Sequence, residues 1–158
     1  MRIPRVRAVF PAIIAAAIFL SPVAPSSGAA DVSKKTADAG FLLSFLSGDY
    51  RLVGQRPDSG ATYSGQVTLR ESGRALAVTR VIAGMTSHST ASIETSHEGA
   101  KVIRMRFSFE GVKYAATYLW QTDLDNYPRL TGYVYRPRGE TKSPGLEVLF
   151  HIPPTPAE

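Results

Sequence analysis

"KVIRMRFSFEGVKYAATYLWQ", residues 101–121, decides the fold. Ile103, Met105, Phe107 and Phe109 alternate with Arg104, Arg106 and Ser108, and Val112, Tyr114, Ala116, Tyr118 and Trp120 share one parity beyond Glu110-Gly111. A period of two sends alternate side chains to opposite faces, so each half reads as a strand with one apolar face. Glu110-Gly111 suits a two-residue turn. Strands joined that tightly run antiparallel, because a parallel return needs a crossover of a dozen residues or more.

The pattern continues outward from this hairpin. From Tyr50 on, glycine-containing or polar breaks recur every 8 to 12 residues or so, the spacing of an all-β sandwich or barrel. About eight strand candidates result: "YRLVGQ" from 50, "TYSGQVTLR" from 62, "RALAVTRVI" from 74, the polar "TSHSTASIET" from 86, "KVIRMRFSF" from 101, "VKYAATYLWQ" from 112, "RLTGYVYR" from 129 and "GLEVLFHI" from 145. An open sheet would expose two unpaired edges, which closure removes. The expected fold is therefore all-β, an antiparallel up-and-down meander of about eight strands closed into a barrel. "FLLSFLSG", residues 41–48, precedes it as a short helical segment ended by Gly48.

Residues 1–30 differ in kind from the rest. Arg2, Arg5 and Arg7 precede an apolar run from Ala8 to Leu20 and then the small-residue stretch "SPVAPSSGAA", the layout of a secretory signal peptide. The run is shorter than the roughly 20 residues of a membrane-spanning helix, so no membrane span is expected after cleavage. The expected organisation is a signal peptide over 1–30, a flexible lead-in over 31–40, a barrel domain over 41–153 and a tail over 154–158, in a periplasmic or secreted protein.

Of the 18 Lys and Arg, three fall in the signal and none of the 13 Asp and Glu do, leaving 15 basic against 13 acidic groups, a balance of +2. That is too little for a nucleic-acid-binding surface. The absence of cysteine removes disulfides, thiol catalysis and thiolate metal sites, so stability must come from core burial. The oligomeric state is left open by the sequence.

The apolar faces supply the candidate binding residues. Leu146, Val148, Phe150 and Ile152 also share a parity and read as another core-facing stripe. An eight-stranded barrel is either filled by side chains or just wide enough for one small ligand. Tyr and Trp carry polar groups that want partners when buried. Met105, Phe107, Tyr114, Tyr118 and Trp120 are therefore the candidates for lining a pocket for a small, partly apolar ligand, with core filling as the plainer alternative. Arg104 and Arg106 would clamp an acidic ligand only if their face were the interior; otherwise they are solvated arginines on the outer wall.

Signs of catalysis are sparse. His88, His97 and His151 have no helical zinc-site spacing, and Glu147 and His151, four apart in a strand, are separated by roughly 13 Å. Asp123, Asp125 and Asn126 begin like a calcium loop but lack its glycine and distal glutamate. No nucleophile elbow or phosphate-binding glycine loop is present. The expectation is a non-enzyme with no cofactor and no metal.

Gly48-Asp49-Tyr50 after a short apolar helical segment resembles the G-x-W signature that opens the first strand of lipocalin-type proteins of the calycin group, with tyrosine in place of tryptophan. Thr122-Asp123-Leu124-Asp125-Asn126-Tyr127 is similar to the T-D-Y-x-x-Y motif between their sixth and seventh strands, where the strand count also places it. The glycines and tyrosines of "YSGQ" and "TGYVY" suit an avidin-like relative equally well. The resemblance implies a small secreted barrel with Gly48 and Tyr50 packed at its closed end, Thr122, Asp123 and Tyr127 shaping the turn beside it, and ligand entry at the opposite end. The competing expectation is a solid barrel acting as a structural or protein-interaction module of the bacterial cell envelope.

Overall fold

The structure is a computed structural model that describes residues 40–122, 126–139 and 141–154; the expected signal segment over 1–30 and most of the expected lead-in lie outside them. A helix, α1, ends at residue 46. Eight strands follow: β1 (Gly48–Gln55), β2 (Thr62–Ser72), β3 (Ala75–Ile82), β4 (Met85–Thr95), β5 (Lys101–Phe109), β6 (Val112–Thr122), β7 (Pro128–Tyr135) and β8 (Gly145–Ile152). Each pairs antiparallel with the next, and β8 pairs with β1 to close the barrel. Every strand thus has a paired neighbour on both sides, so the barrel has no free edge strand.

Turn chemistry sets the registers. Phe109 pairs with Val112 across Glu110 (φ 50°) and Gly111 (φ 76°), the doubly positive dihedrals of the hairpin turn whose twist matches that of its strands. Ala83 (φ 50°) and Gly84 (φ 78°) join β3 to β4 in the same way. The polar segment after Met85 forms a full strand although only Ala91 in it is buried. Its ladders to β3 and β5 outweigh its composition, because strand formation depends more on neighbours than on intrinsic preference.

An up-and-down meander puts alternate connections at opposite ends. The β1–β2, β3–β4, β5–β6 and β7–β8 connections gather at one end, the mouth, whereas α1 and the remaining connections gather at the other, the base. α1 seals the base by placing Leu43 and Leu46 in the same core as Tyr50, Leu52, Val67 and Leu69. The Tyr50 hydroxyl donates to the Leu46 carbonyl at 2.7 Å, satisfying one of the carbonyls a helix end leaves over. Burial pushes the Tyr50 phenol's pKa up, so it remains a donor. Tyr50→Phe is expected to cost about 1 kcal/mol of stability, read as a lower urea midpoint with unchanged slope; no change would mean that water reaches the Leu46 carbonyl.

At the mouth, Asp58 ties two connections together by accepting the Lys142 and Ser143 amides at 2.8 and 3.0 Å. The Ser143 and then the Lys142 amide hold its carboxyl below the usual carboxylate range. A lowered folded pKa contributes stability above the unfolded-state value, and that contribution is lost as pH falls through the folded value. Asp58→Asn keeps an acceptor oxygen but cannot titrate. The stability difference between wild type and Asp58→Asn is therefore expected to shrink below about pH 4, in urea unfolding across an acid series; a constant difference would show that Asp58 is not held in the bonded form.

β5 and β6 face as their alternation predicts. Ile103, Met105, Phe107, Ala116 and Tyr118 are buried inside, and Arg104 and Arg106 lie on the outer wall, Arg104 Nε 3.2 Å from Glu94. β8 reverses the expectation. Leu146, Phe150 and Ile152 are 46%, 42% and 40% exposed, whereas Gly145, Glu147 and Leu149 turn inward and are buried. The cause is register: Leu149 pairs with Leu52 on one side and Leu130 on the other, all three fully buried. Parity of two then forces Glu147 inside and the apolar residues out.

The outward faces of β2 and β4, with Gln66, Thr68, Arg70, His88, Thr90 and Ser92, are polar. Exposed apolar side chains therefore concentrate on β1, β8, β7 and β6, at Val53, Leu146, Phe150, Tyr133 and Leu119. No helix among the described residues is long and apolar enough to cross a membrane.

Candidate functional site

Glu147 lies at the centre of a row that runs across β2, β1, β8, β7 and β6. Its partner on β1 is Gly54 and its partner on β7 is Gly132. Gly54 in turn pairs with Tyr63, and Gly132 with Tyr118. Each tyrosine lies over its glycine: a Cβ on Gly54 would come within 2.6 Å of Tyr63 Cζ, and one on Gly132 within 2.6 Å of Tyr118 Cδ1. The two missing side chains are what let both phenols reach the carboxylate. Tyr63 donates to Glu147 Oε1 and Tyr118 to Oε2.

Arg80 completes the group from β3, directing its guanidinium fork to both oxygens, NH2 to Oε1 and NH1 to Oε2 at 3.2 Å. Arg80 and Glu147 are 1% and 0% exposed. A buried ion pair needs hydrogen bonds to offset its desolvation; here the fork and two phenols saturate the carboxylate, whereas Arg80 Nε is buried without a hydrogen-bond partner. Arg80 NH1 also lies 3.3 Å from the Tyr118 hydroxyl and 3.8 Å from Met105 Sδ, and the guanidinium carbon is 4.0 Å from the centre of the Phe107 ring.

The electrostatics follow from this packing. Burial pulls the Arg80 pKa down, but the Glu147 carboxylate and the Tyr118 phenol more than reverse that, and the net shift is upward. Burial, then the Glu147 charge, raises the Tyr63 and Tyr118 phenols well above the ordinary value, so both stay protonated and donate. With its lone pairs engaged by four donors, Glu147 has none left for a substrate. The cluster is a rigid polar plug rather than an acid-base pair.

Above the plug, at the mouth, is a small cleft lined by Tyr63, Arg80, Phe107, Phe109 and Tyr114, with Arg56 at its rim. The cleft is open and shallow: the space that a water can occupy is ≈ 10 Å³, room for about one water. Phe107 and Tyr114 stack at 5.7 Å on one wall. Arg56 sits 4.8 Å above the Phe109 ring and pairs with Glu110.

Phe107 and Tyr114 thus line the cleft, and Met105 and Tyr118 touch its Arg80 floor. Trp120 is separated from them: it pairs with Leu130 toward the base and packs against the core there. At the base, Tyr127 stacks on His151 at 4.4 Å and Tyr50 meets the same ring edge-on at 5.2 Å. A Cβ on Gly48 would collide with the His151 ring, so the glycine leaves room for it. Thr122, exposed at the base end of β6, pairs with the buried Pro128, and Asp123, Leu124 and Asp125 lie outside the described residues. Among the described residues no cluster of three or more His, Asp or Glu is placed to hold a metal ion.

Arg80, Glu147, Tyr63 and Arg56 are absent from the sequence-derived candidates. A usable signal exists for Arg80, which shares its parity with Leu76, Val78 and Ile82 and so stands as a charge inside an apolar stripe. Glu147 carries no such mark, because its stripe-mates Gly145 and Leu149 do not look like a core face.

Neither a protein-family model nor a curated protein sequence matches the chain.

Proposed function

We propose that this is an exported, non-enzymatic barrel that binds a small, partly apolar ligand at its mouth rather than in its interior. The observation that carries the reading is the open cleft: aromatic walls over a floor whose charged groups are already neutralised by each other, the mixture of apolar lining and few fixed polar groups that ligand sites use; its own space holds about one water, so the ligand lies across the opening rather than within it. Below that floor the interior is taken up by fully buried side chains, including Tyr118, Met105, Leu149, Leu52 and Leu130, which moves the site outward from where an aromatic stripe alone would put it. Export rests on the signal-like residues 1–30.

A lipocalin-like or avidin-like relationship is the finer form of this proposal. It is supported by the closed meander and by the packing of α1, Gly48 and Tyr50 at the closed end.

The test is a panel of small anionic, cationic and neutral aromatic compounds titrated into the isotopically labelled protein. The expected result is shifts confined to Tyr63, Phe107, Phe109 and Tyr114. Shifts for none of the compounds would remove the reading. Trp120 fluorescence is expected to stay nearly constant, because that ring is remote from the mouth.

One observation favours a second reading, a solid interaction module of the envelope: Leu119, Tyr133 and Leu146 stand exposed beside one another on the outer wall, facing a hollow bordered by Glu98 and Arg129. Exposed apolar patches of this kind mark contact surfaces.

A further inference from the structure

We propose that the ligand of the mouth is an aromatic monocarboxylate, and that Glu110 is an internal stand-in for its carboxylate, held across the entrance as a strap. The inference rests on the mouth being a binding site and adds what it selects.

Arg56 belongs to the β1–β2 connection and Glu110 to the β5–β6 turn. In the ring order β5 is diametrically opposite β1, so the pair bridges the entrance. The contact is bidentate, Arg56 NH1 to Glu110 Oε2 at 2.7 Å and NH2 to Oε1 at 3.1 Å, the geometry by which a guanidinium recognises a free carboxylate. Beneath it lies the Phe109 ring, with Phe107 and Tyr114 beyond. A carboxylate joined to a flat ring satisfies the same fork, with its ring over the mouth beside Phe107 and Tyr114.

Three features make Glu110 replaceable. The two side chains are 31% and 46% exposed, and ion pairs at that exposure add little stability. Glu110 occupies the first central position of its turn at φ 50°, where Asn, Asp or Gly would sit with less strain; a glutamate there has the reach to cross the mouth. The second cation of the cleft, Arg80, is already neutralised by Glu147, so release of Glu110 leaves one uncompensated positive charge, matched to a monoanion.

The experiment is calorimetric and NMR titration of the whole exported chain with benzoate and with neutral benzamide, in wild type, Glu110→Gln and Arg56→Met. Benzoate is expected to bind at the mouth at least about tenfold more tightly than benzamide. Glu110→Gln should tighten benzoate about two- to fivefold, the gain from removing a competing contact of surface strength. Arg56→Met should weaken benzoate at least about tenfold, the loss of a charge-assisted bidentate contact. Glu110 is exposed and Arg56 half-buried, and unchanged urea midpoints would confirm intact folding. Equal binding of benzoate and benzamide, or an unaltered benzoate affinity in Glu110→Gln, overturns the proposal. If only neutral or cationic aromatics shift the mouth resonances, carboxylate selection fails while mouth binding stands; if nothing shifts them, both fail.

Discussion

Arg80→Met is expected to lower the unfolding free energy by about 3–5 kcal/mol, the cost of leaving one member of a buried pair without its partner. Glu147 would retain the Tyr63 and Tyr118 hydroxyls, but its charge would sit in the core with no counter-ion. The double substitution Arg80→Met, Glu147→Leu removes both charges and is expected to recover most of the loss, because apolar replacement of a whole buried pair is often neutral or stabilising. Urea unfolding of the two single variants and the double variant forms the cycle. A single-variant cost below about 1 kcal/mol, the level of a solvated pair, would mean that water enters the barrel to Glu147.

The second large effect concerns a methyl group. Alanine is ordinarily better tolerated than glycine inside a strand by roughly 0.5–1 kcal/mol, yet Gly132→Ala is expected to destabilise by about 2–3 kcal/mol. The added Cβ would run into the Thr117 carbonyl and stand 2.6 Å from Tyr118 Cδ1. Overpacking of this kind costs about 1–3 kcal/mol, and displacing Tyr118 also strips Glu147 of a donor to a charged acceptor. In Tyr118→Ala the ring is gone, so the additional penalty of Gly132→Ala should be smaller than in wild type. Equal penalties in both backgrounds would show that the strand itself, rather than the tyrosine, requires the glycine.

These two substitutions also mark where sequence reading stopped. The meander and its eight strands were legible because alternation along β5 and β6 and the Glu110-Gly111 turn are local signals, each contained within a few residues. Even polar β4 was placed by its position between two turns. The helical segment before Gly48 was legible from its apolar density, although Gly48 opens β1 rather than capping the helix. The orientation of β8 was not, because the more apolar of its two faces points to solvent and a parity argument must choose the other one. Phe107 and Tyr114 lie toward the mouth and Trp120, on the same stripe, toward the base, because alternation says nothing about depth along the barrel.

What the sequence by itself determined is the all-β antiparallel architecture, since period-two patterning and short turns act between neighbours in the chain. The tertiary structure alone decided which residues meet in the buried cluster and across the mouth. Glu147 lies 67 residues from Arg80, 84 from Tyr63 and 29 from Tyr118, and Arg56 lies 54 from Glu110. Closure of the ring brings these groups within hydrogen-bonding distance, and a buried charge is stable only in the presence of partners that no local pattern can name.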